Sequence, residues 1–145
     1  EGVDFFCQTV NIPDVSMPTT EVASPFRNLP IIASGGVTFG DFSVRFIVDE
    51  DLVNYNSIYK WIRDNGNADQ MQRTTKESEI YTNGQLNIVT SQYNPAFVID
   101  YRDIFPVSLS GLQFDATITD VEYITAEVVF KHQQFFIRDN QFKTL

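Results

Sequence analysis

The side chains in this sequence most able to do chemistry are few, and each sits in a pattern with a plainer use. His132 is the one histidine. A nucleophilic triad would need a serine and an acid beside it, but His132 stands in the in-facing phase of a strand-like alternation with Ala126, Val128 and Phe130. No Gly-x-Ser-x-Gly elbow occurs, so a structural role is expected. Cys7, the one cysteine, alternates with Phe5 and Thr9, which predicts a small buried hydrophobe rather than a nucleophile. One cysteine and one histidine also exclude an internal disulfide framework and an ordinary zinc set within one chain.

Asp49-Glu50-Asp51 lacks the alternating oxygen ligands, central glycine and distal glutamate of a calcium loop, and is expected to place negative charge at a helix start. Gly35-Gly36 and Gly40 have neither the strand-to-helix context nor the lysine of a phosphate cradle, and read as turn glycines. Trp61, Tyr55 and Tyr59 could stack on bases or sugars, yet they occupy a helical stretch beside apolar positions, where packing against a sheet is expected. No cofactor or metal site is expected.

The elements that must position these residues are mostly strands. Phe42, Val44, Phe46 and Val48 alternate with Ser43, Arg45, Ile47 and Asp49, and Ala126 to Gln133 repeats that period of two, so Phe42, Val44, Phe46, Val128 and Phe130 are predicted core. Further strands are expected over Phe5 to Ile12, Leu86 to Ser91, Ala96 to Tyr101 and Pro106 to Phe114. Leu52, Tyr55, Ile58, Tyr59 and Ile62 recur at spacings of three and four, which predicts one helix over 51–63, ended by Asn65-Gly66-Asn67. Ala68 to Asn83 is polar and reads as an exposed loop before an Asn83-Gly84 turn. Pro13, Pro18, Pro25, Pro30 and Gly35-Gly36 over-punctuate 13–36 for a central strand, so a long extended loop is predicted there, and its length makes it the leading interaction candidate.

Composition bounds the rest. The 145 residues suit one domain, 1–145, and 43% apolar with 20% charged residues is a globular balance. No apolar run approaches the roughly 20 residues that span a bilayer, so a soluble protein with no membrane partner is expected. Ten basic against 19 acidic side chains give −9, which disfavours capture of nucleic acid. No glycosylation acceptor or basic-then-apolar start points to secretion, so cytoplasmic synthesis is the default.

Phe6-Cys7-Gln8 leading through Asn11-Ile12-Pro13, a long loop, then Gly40 to Asp51 and a helix near Trp61, resembles the tail tube proteins of T-even-type contractile-tailed bacteriophages. Ile104 to Leu109 and Leu112-Gln113-Phe114, followed by Ile124 to Phe130, resemble the later part of that family's pattern. The family includes baseplate tube-initiator proteins of the same fold, which the sequence separates poorly from the tube subunit. Its members usually carry another strand before the one matching Phe5 to Ile12. Here that strand is absent or reduced to Glu1 to Asp4, so the sequence is truncated or the sheet is completed differently.

The resemblance implies a mainly β fold, a β-sandwich or split barrel, in a non-enzymatic virion subunit. It implies hexameric rings stacked into a hollow conduit for DNA ejection, with the chain itself, sheath and baseplate proteins as partners. A baseplate initiator or secretion-tube ring protein is the alternative within that class, and a monomeric ligand-binding β-sandwich the alternative outside it. Six subunits of four strands each, at about 4.8 Å spacing and about 40° tilt, give a barrel near 48 Å across. About 38 Å remains after side chains, wider than duplex DNA. Inter-subunit contacts are then expected at Pro18, Val22, Pro25, Phe26 and Arg27, and Asp115, Glu122 and Glu127 are candidates to line the lumen, where acid would repel phosphates.

Overall fold

The clearest alternation in the sequence makes the centre of the sheet. In a computed structural model describing residues 7–33, 35–66, 80–92, 94–115, 117 and 123–139, β6 (Phe42–Ile47) runs antiparallel to β9 (Thr125–Lys131). Phe42 faces Phe130, Val44 faces Val128 and Phe46 faces Ala126. All six are buried, Phe46 and Val128 at 0% exposure. The alternate pairs, Ser43 with Val129 and Arg45 with Glu127, face the other way. A slip of one residue would turn every apolar side chain of this pair to solvent, so the core fixes the register. β1 (Cys7–Val10) adds to the far side of β6 with one irregularity between Cys7 and Thr9.

The sheet curls because one strand serves both of its halves. β8 (Pro95–Leu109) pairs through its first part with β7 (Thr82–Val89) on one edge and β10 (Gln134–Asp139) on the other, and through Phe105 to Leu109 with β9. Between the two parts Asp103 takes φ 52°, a left-handed conformation that aspartate tolerates better than most side chains. Its N–H donates to Asn83 Oδ1 at 3.4 Å, and a second irregularity follows at Pro106–Ser108. Such bulges bend and twist a strand. The result is a curled, mainly β half-barrel around Ile99, Tyr101, Ile104, Phe46 and Val128.

Helix α1 (Val53–Gly66) packs against this core. Ile58 is fully buried, Trp61 lies 6.2 Å from the Phe130 ring, and the Tyr55 hydroxyl donates to Ser110 O at 3.0 Å. The buried Asn54 ties the helix start to the sheet, its Nδ2 donating to Ile47 O at 2.8 Å and its Oδ1 accepting from Asp49 N. The helix begins two residues after the predicted Asp51 and ends three after Arg63. Asp49 to Asp51 therefore form a turn before it, and no acid lies in its first turn.

The expected strands at Ala96 to Tyr101 and Pro106 to Phe114 are one continuous strand that stops at Leu109, because Asp103 bends the chain without breaking the ladder. β7 starts at Thr82 and runs through Gly84, so Asn83-Gly84 is no turn. There the glycine fits close against Ile104. The expected loop at Ala68 to Asn83 lies largely outside the described residues, and Ile80 near its end is buried.

The stretch 13–36 is extended as expected, but it pairs with itself. β3 (Thr19–Val22) and β4 (Leu29–Ile32) form a hairpin, and β2 (Val15–Ser16) pairs with β5 (Thr38–Phe39) at its base. A two-stranded ladder leaves each strand an open edge, where a proline such as Pro30 is tolerated. Gly35 lies so close to the Pro18 ring that a Cβ there would come within 2.7 Å of Pro18 Cγ. Phe39 anchors this arm, packing at 5.5 Å from Phe135 and 5.8 Å from His132.

Candidate functional site

Two surfaces of this fold have residues to offer a partner. The first is the face of β1, β6, β9 and the end of β8 that points away from the core. The strand alternation that buries Phe42, Val44 and Phe46 must present Ser43, Arg45 and Ile47 here, beside Thr125, Glu127, Val129 and Lys131. Phe105 and Ser108 join them in register with Lys131 and Val129. Arg45 Nη2 stands 3.6 Å from Glu127 Oε2, and Lys131 Nζ stands 3.6 Å from Asp41 Oδ1, each pair about half-exposed. Such pairs contribute little stability, typically about 0.2–1 kcal/mol, but each sets a base directly beside an acid. A shallow depression of about 230 Å³ lies between Thr9, Asn11, Ser43, Arg45 and Glu127.

Asn11 closes the upper edge of this face. Its Oδ1 accepts from Ser43 N at 2.6 Å and Ser43 Oγ at 3.1 Å, and its Nδ2 donates to Asp41 O at 3.1 Å. It thereby continues the β1–β6 ladder one residue past β1. At the opposite edge Ser110 extends the β8–β9 ladder past Leu109. Its N–H donates to Glu127 O at 2.8 Å, and its Oγ accepts from Glu127 N at 2.9 Å. β10 reaches only Phe97 to Arg102 of β8 and β7 only as far as Ile104. Phe105 to Leu109 thus pair on one side alone among the described residues, and so does β1.

The second surface is the β3–β4 arm. Pro18, Val22, Pro25, Phe26 and Arg27, the expected contact residues, are all exposed. Phe26 sits at the hairpin tip at 97% exposure and Ile32 reaches 71%, with Val15, Met17 and Ile31 about half-exposed. Contiguous exposed apolar area of this kind is what interaction surfaces typically show.

The remaining sequence-predicted residues scatter. Glu127 lies on the four-stranded face, but Asp115 is in the loop after β8, where Thr117 donates to it from N at 2.8 Å and from Oγ1 at 2.6 Å. Those bonds hold its carboxyl below the usual range. Glu122 lies outside the described residues. Cys7 is exposed, not buried as its alternation suggests, because β1 is an edge strand and Val10 alone of its residues turns into the core. Packing around its thiol nonetheless raises the pKa, which disfavours a thiolate.

His132 is packed among aromatic rings. It occupies the turn from β9 to β10, packed edge-on to Tyr101 at 5.2 Å and Phe135 at 5.7 Å. Desolvation lowers its pKa, with Asp41 acting weakly the other way. Trp61 and Tyr55 are committed to the core, whereas Tyr59, expected there too, is half-exposed on the outer side of α1. Asn11, Asp41 and Lys131 escaped sequence reasoning because a polar residue at a strand end looks like any surface residue until its register is known.

Comparison with known proteins agrees with this geometry. A family profile for phage tail tube proteins matches residues 1–138. No curated protein matches the sequence significantly. Among solved structures, a chain of the PVC sheath–tube complex of an extracellular contractile injection system superposes with a TM-score of 0.65 at 16% identity, over 92% of this chain and 80% of that one. A chain of the anti-feeding prophage baseplate gives 0.68 at 12% identity, over 93% and 82%. An Hcp protein gives 0.57 at 9% identity, over 97% and 75%. At such identities these likenesses establish a shared fold.

Proposed function

The chain belongs to the phage tail tube protein family, and we propose that it is a structural, non-enzymatic tube subunit. In this reading six copies form a ring, rings stack into a hollow tube, and DNA leaves the virion through it. The observation that carries the reading is the run β1-β6-β9-β8 of the sheet, whose outer edges, along β1 and Phe105 to Leu109 of β8, carry no further strand among the described residues. β1 and β9 run in one direction, β6 and β8 in the other. An even number of alternating strands means that a rotated copy brings its β1 antiparallel to the open part of β8. Rotation alone can then repeat the pattern until the barrel closes, with no change of pairing type at the seam. Closure also removes the exposed edges that otherwise invite aggregation.

The outward face of these strands then becomes the wall of the channel, and α1, on the core side of the sheet, lies toward the outside of the tube. The β3–β4 arm supplies contacts between rings. Its prolines limit the freedom lost on docking, and its apolar side chains gain burial only against another copy. Sheath and baseplate proteins are the further partners, consistent with the assemblies named for the similar structures. A tube-initiator role at the baseplate uses the same surfaces.

The test is native mass together with negatively stained images over a wide range of concentrations. Rings of six, stacking as concentration rises, are expected. A species that stays monomeric throughout would overturn the reading.

A further inference from the structure

Resting on that tube reading, we propose that the channel wall is charge-balanced, each base held by an acid of the same subunit, so that duplex DNA is neither gripped nor repelled. The composition points elsewhere, since an excess of nine negative charges suggests an acid-lined conduit. Placement decides otherwise. Among the described residues of the outward face, Arg45 is opposite Glu127 in register and within 3.6 Å of it, and Lys131 is equally close to Asp41. Two bases meet two acids. The other side chains in view carry no charge: Thr9, Ser43, Thr125 and Ser108 are hydroxyls, and Ile47, Val129 and Phe105 are apolar. The densest acidic run, Asp49 to Asp51, lies beyond the end of β6, in the turn to α1.

Symmetry gives the pairing its importance. Any unpaired charge on the wall would recur six times around the ring, where like charges repel one another and oppose closure. An acid and a base 3.6 Å apart form a short dipole instead. Its field fades well within the ~10 Å Debye length at ~0.1 M salt, about half the radius of the channel estimated above. DNA on the axis would therefore meet a nearly neutral surface. Removing one acid exposes its base, and a ring of freed guanidinium groups would bind phosphates by counterion release.

Retention of a short DNA duplex by purified tubes tests this, with images of each sample to confirm that tubes are present. Parent tubes are expected to hold no more than background at ~50 mM salt. Glu127→Gln tubes should hold at least about tenfold more there, and lose it by ~300 mM. Arg45→Gln tubes should stay at background, and the double variant should return to the parent level. Should Glu127→Gln fail to assemble, Asp41→Asn frees Lys131 and carries the same expectation. The proposal fails if parent tubes already retain DNA as the acid-deleted variants do, or if freeing either base leaves retention unchanged. If parent protein forms no tubes, the tube reading itself fails and the wall with it, an outcome distinct from tubes whose retention ignores the pairs.

Discussion

The body and the arm of this protein are both built from β ladders, yet they solve opposite problems. In the body, Phe46, Ile99 and Val128 have no exposure at all, and charged residues such as Arg45 and Glu127 face outward in pairs. In the arm, β3 and β4 hold each other through four register pairs while Phe26 and Ile32 stand in solvent. A two-stranded ribbon has no second layer to cover its apolar side chains and is at best marginal alone. The body buries its apolar residues in its own core, whereas the arm leaves its apolar residues in solvent.

Truncating the body should have the largest effect. Phe46→Ala removes a fully buried ring from the centre of β6 and is expected to cost about 3–5 kcal/mol, or a fall in melting temperature of roughly 10 °C. An unchanged melting temperature would show that the body does not depend on this core. Asp103→Val comes next, because a β-branched residue is poorly tolerated at φ 52°. A loss of about 1–3 kcal/mol is expected, with Asp103→Gly close to the parent. Equal stability of the valine and glycine variants would mean that the corner of β8 is not where the sheet is forced to bend.

His132 joins the two regions through Phe39, and its effect depends on pH. Burial depresses its folded pKa below the ordinary 6.5, so the unfolded state binds the proton more readily. The stability this contributes is complete above the unfolded pKa and is lost as pH falls through the depressed folded value. His132→Phe should flatten that acid limb of a denaturation series without changing the plateau near neutral pH by as much. A limb of unchanged slope would place the acid sensitivity elsewhere.

The smallest effect on the monomer is expected at the arm tip. Phe26→Asp should leave the unfolding free energy within about 0.5 kcal/mol of the parent, since the side chain is 97% exposed, yet prevent rings from stacking. Stacks of normal length would remove the arm from the inter-ring contact.

Much of the body was legible in the sequence because strict alternation leaves one choice of face. Phe42, Val44, Phe46, Val128 and Phe130 are buried as that pattern requires. β10 was missed, since His132-Gln133 carries no glycine or asparagine to mark a two-residue turn and Phe135-Phe136-Ile137 does not alternate. The arm was read as a long extended loop, and its pairing was hidden by prolines that an open-edged ribbon accepts. The candidate surfaces were the least legible. Whether Glu127 stands alone or beside Arg45 depends on how β6 and β9 register, which no local pattern reports.

The central claim, that β1 of one copy pairs with the open part of β8 in the next, is tested most directly by crosslinking across that seam. Thr9 and Ser108 belong to the two edge strands of one sheet, and three strand spacings of about 4.8 Å place them about 14 Å apart within a subunit. That is too far for a disulfide. In a Cys7→Ser background, Thr9→Cys with Ser108→Cys, joined by a short thiol crosslinker, should give a ladder on a denaturing gel ending at a covalent hexamer, while either substitution alone gives no ladder. Rings that assemble but yield only monomer after crosslinking would contradict the account.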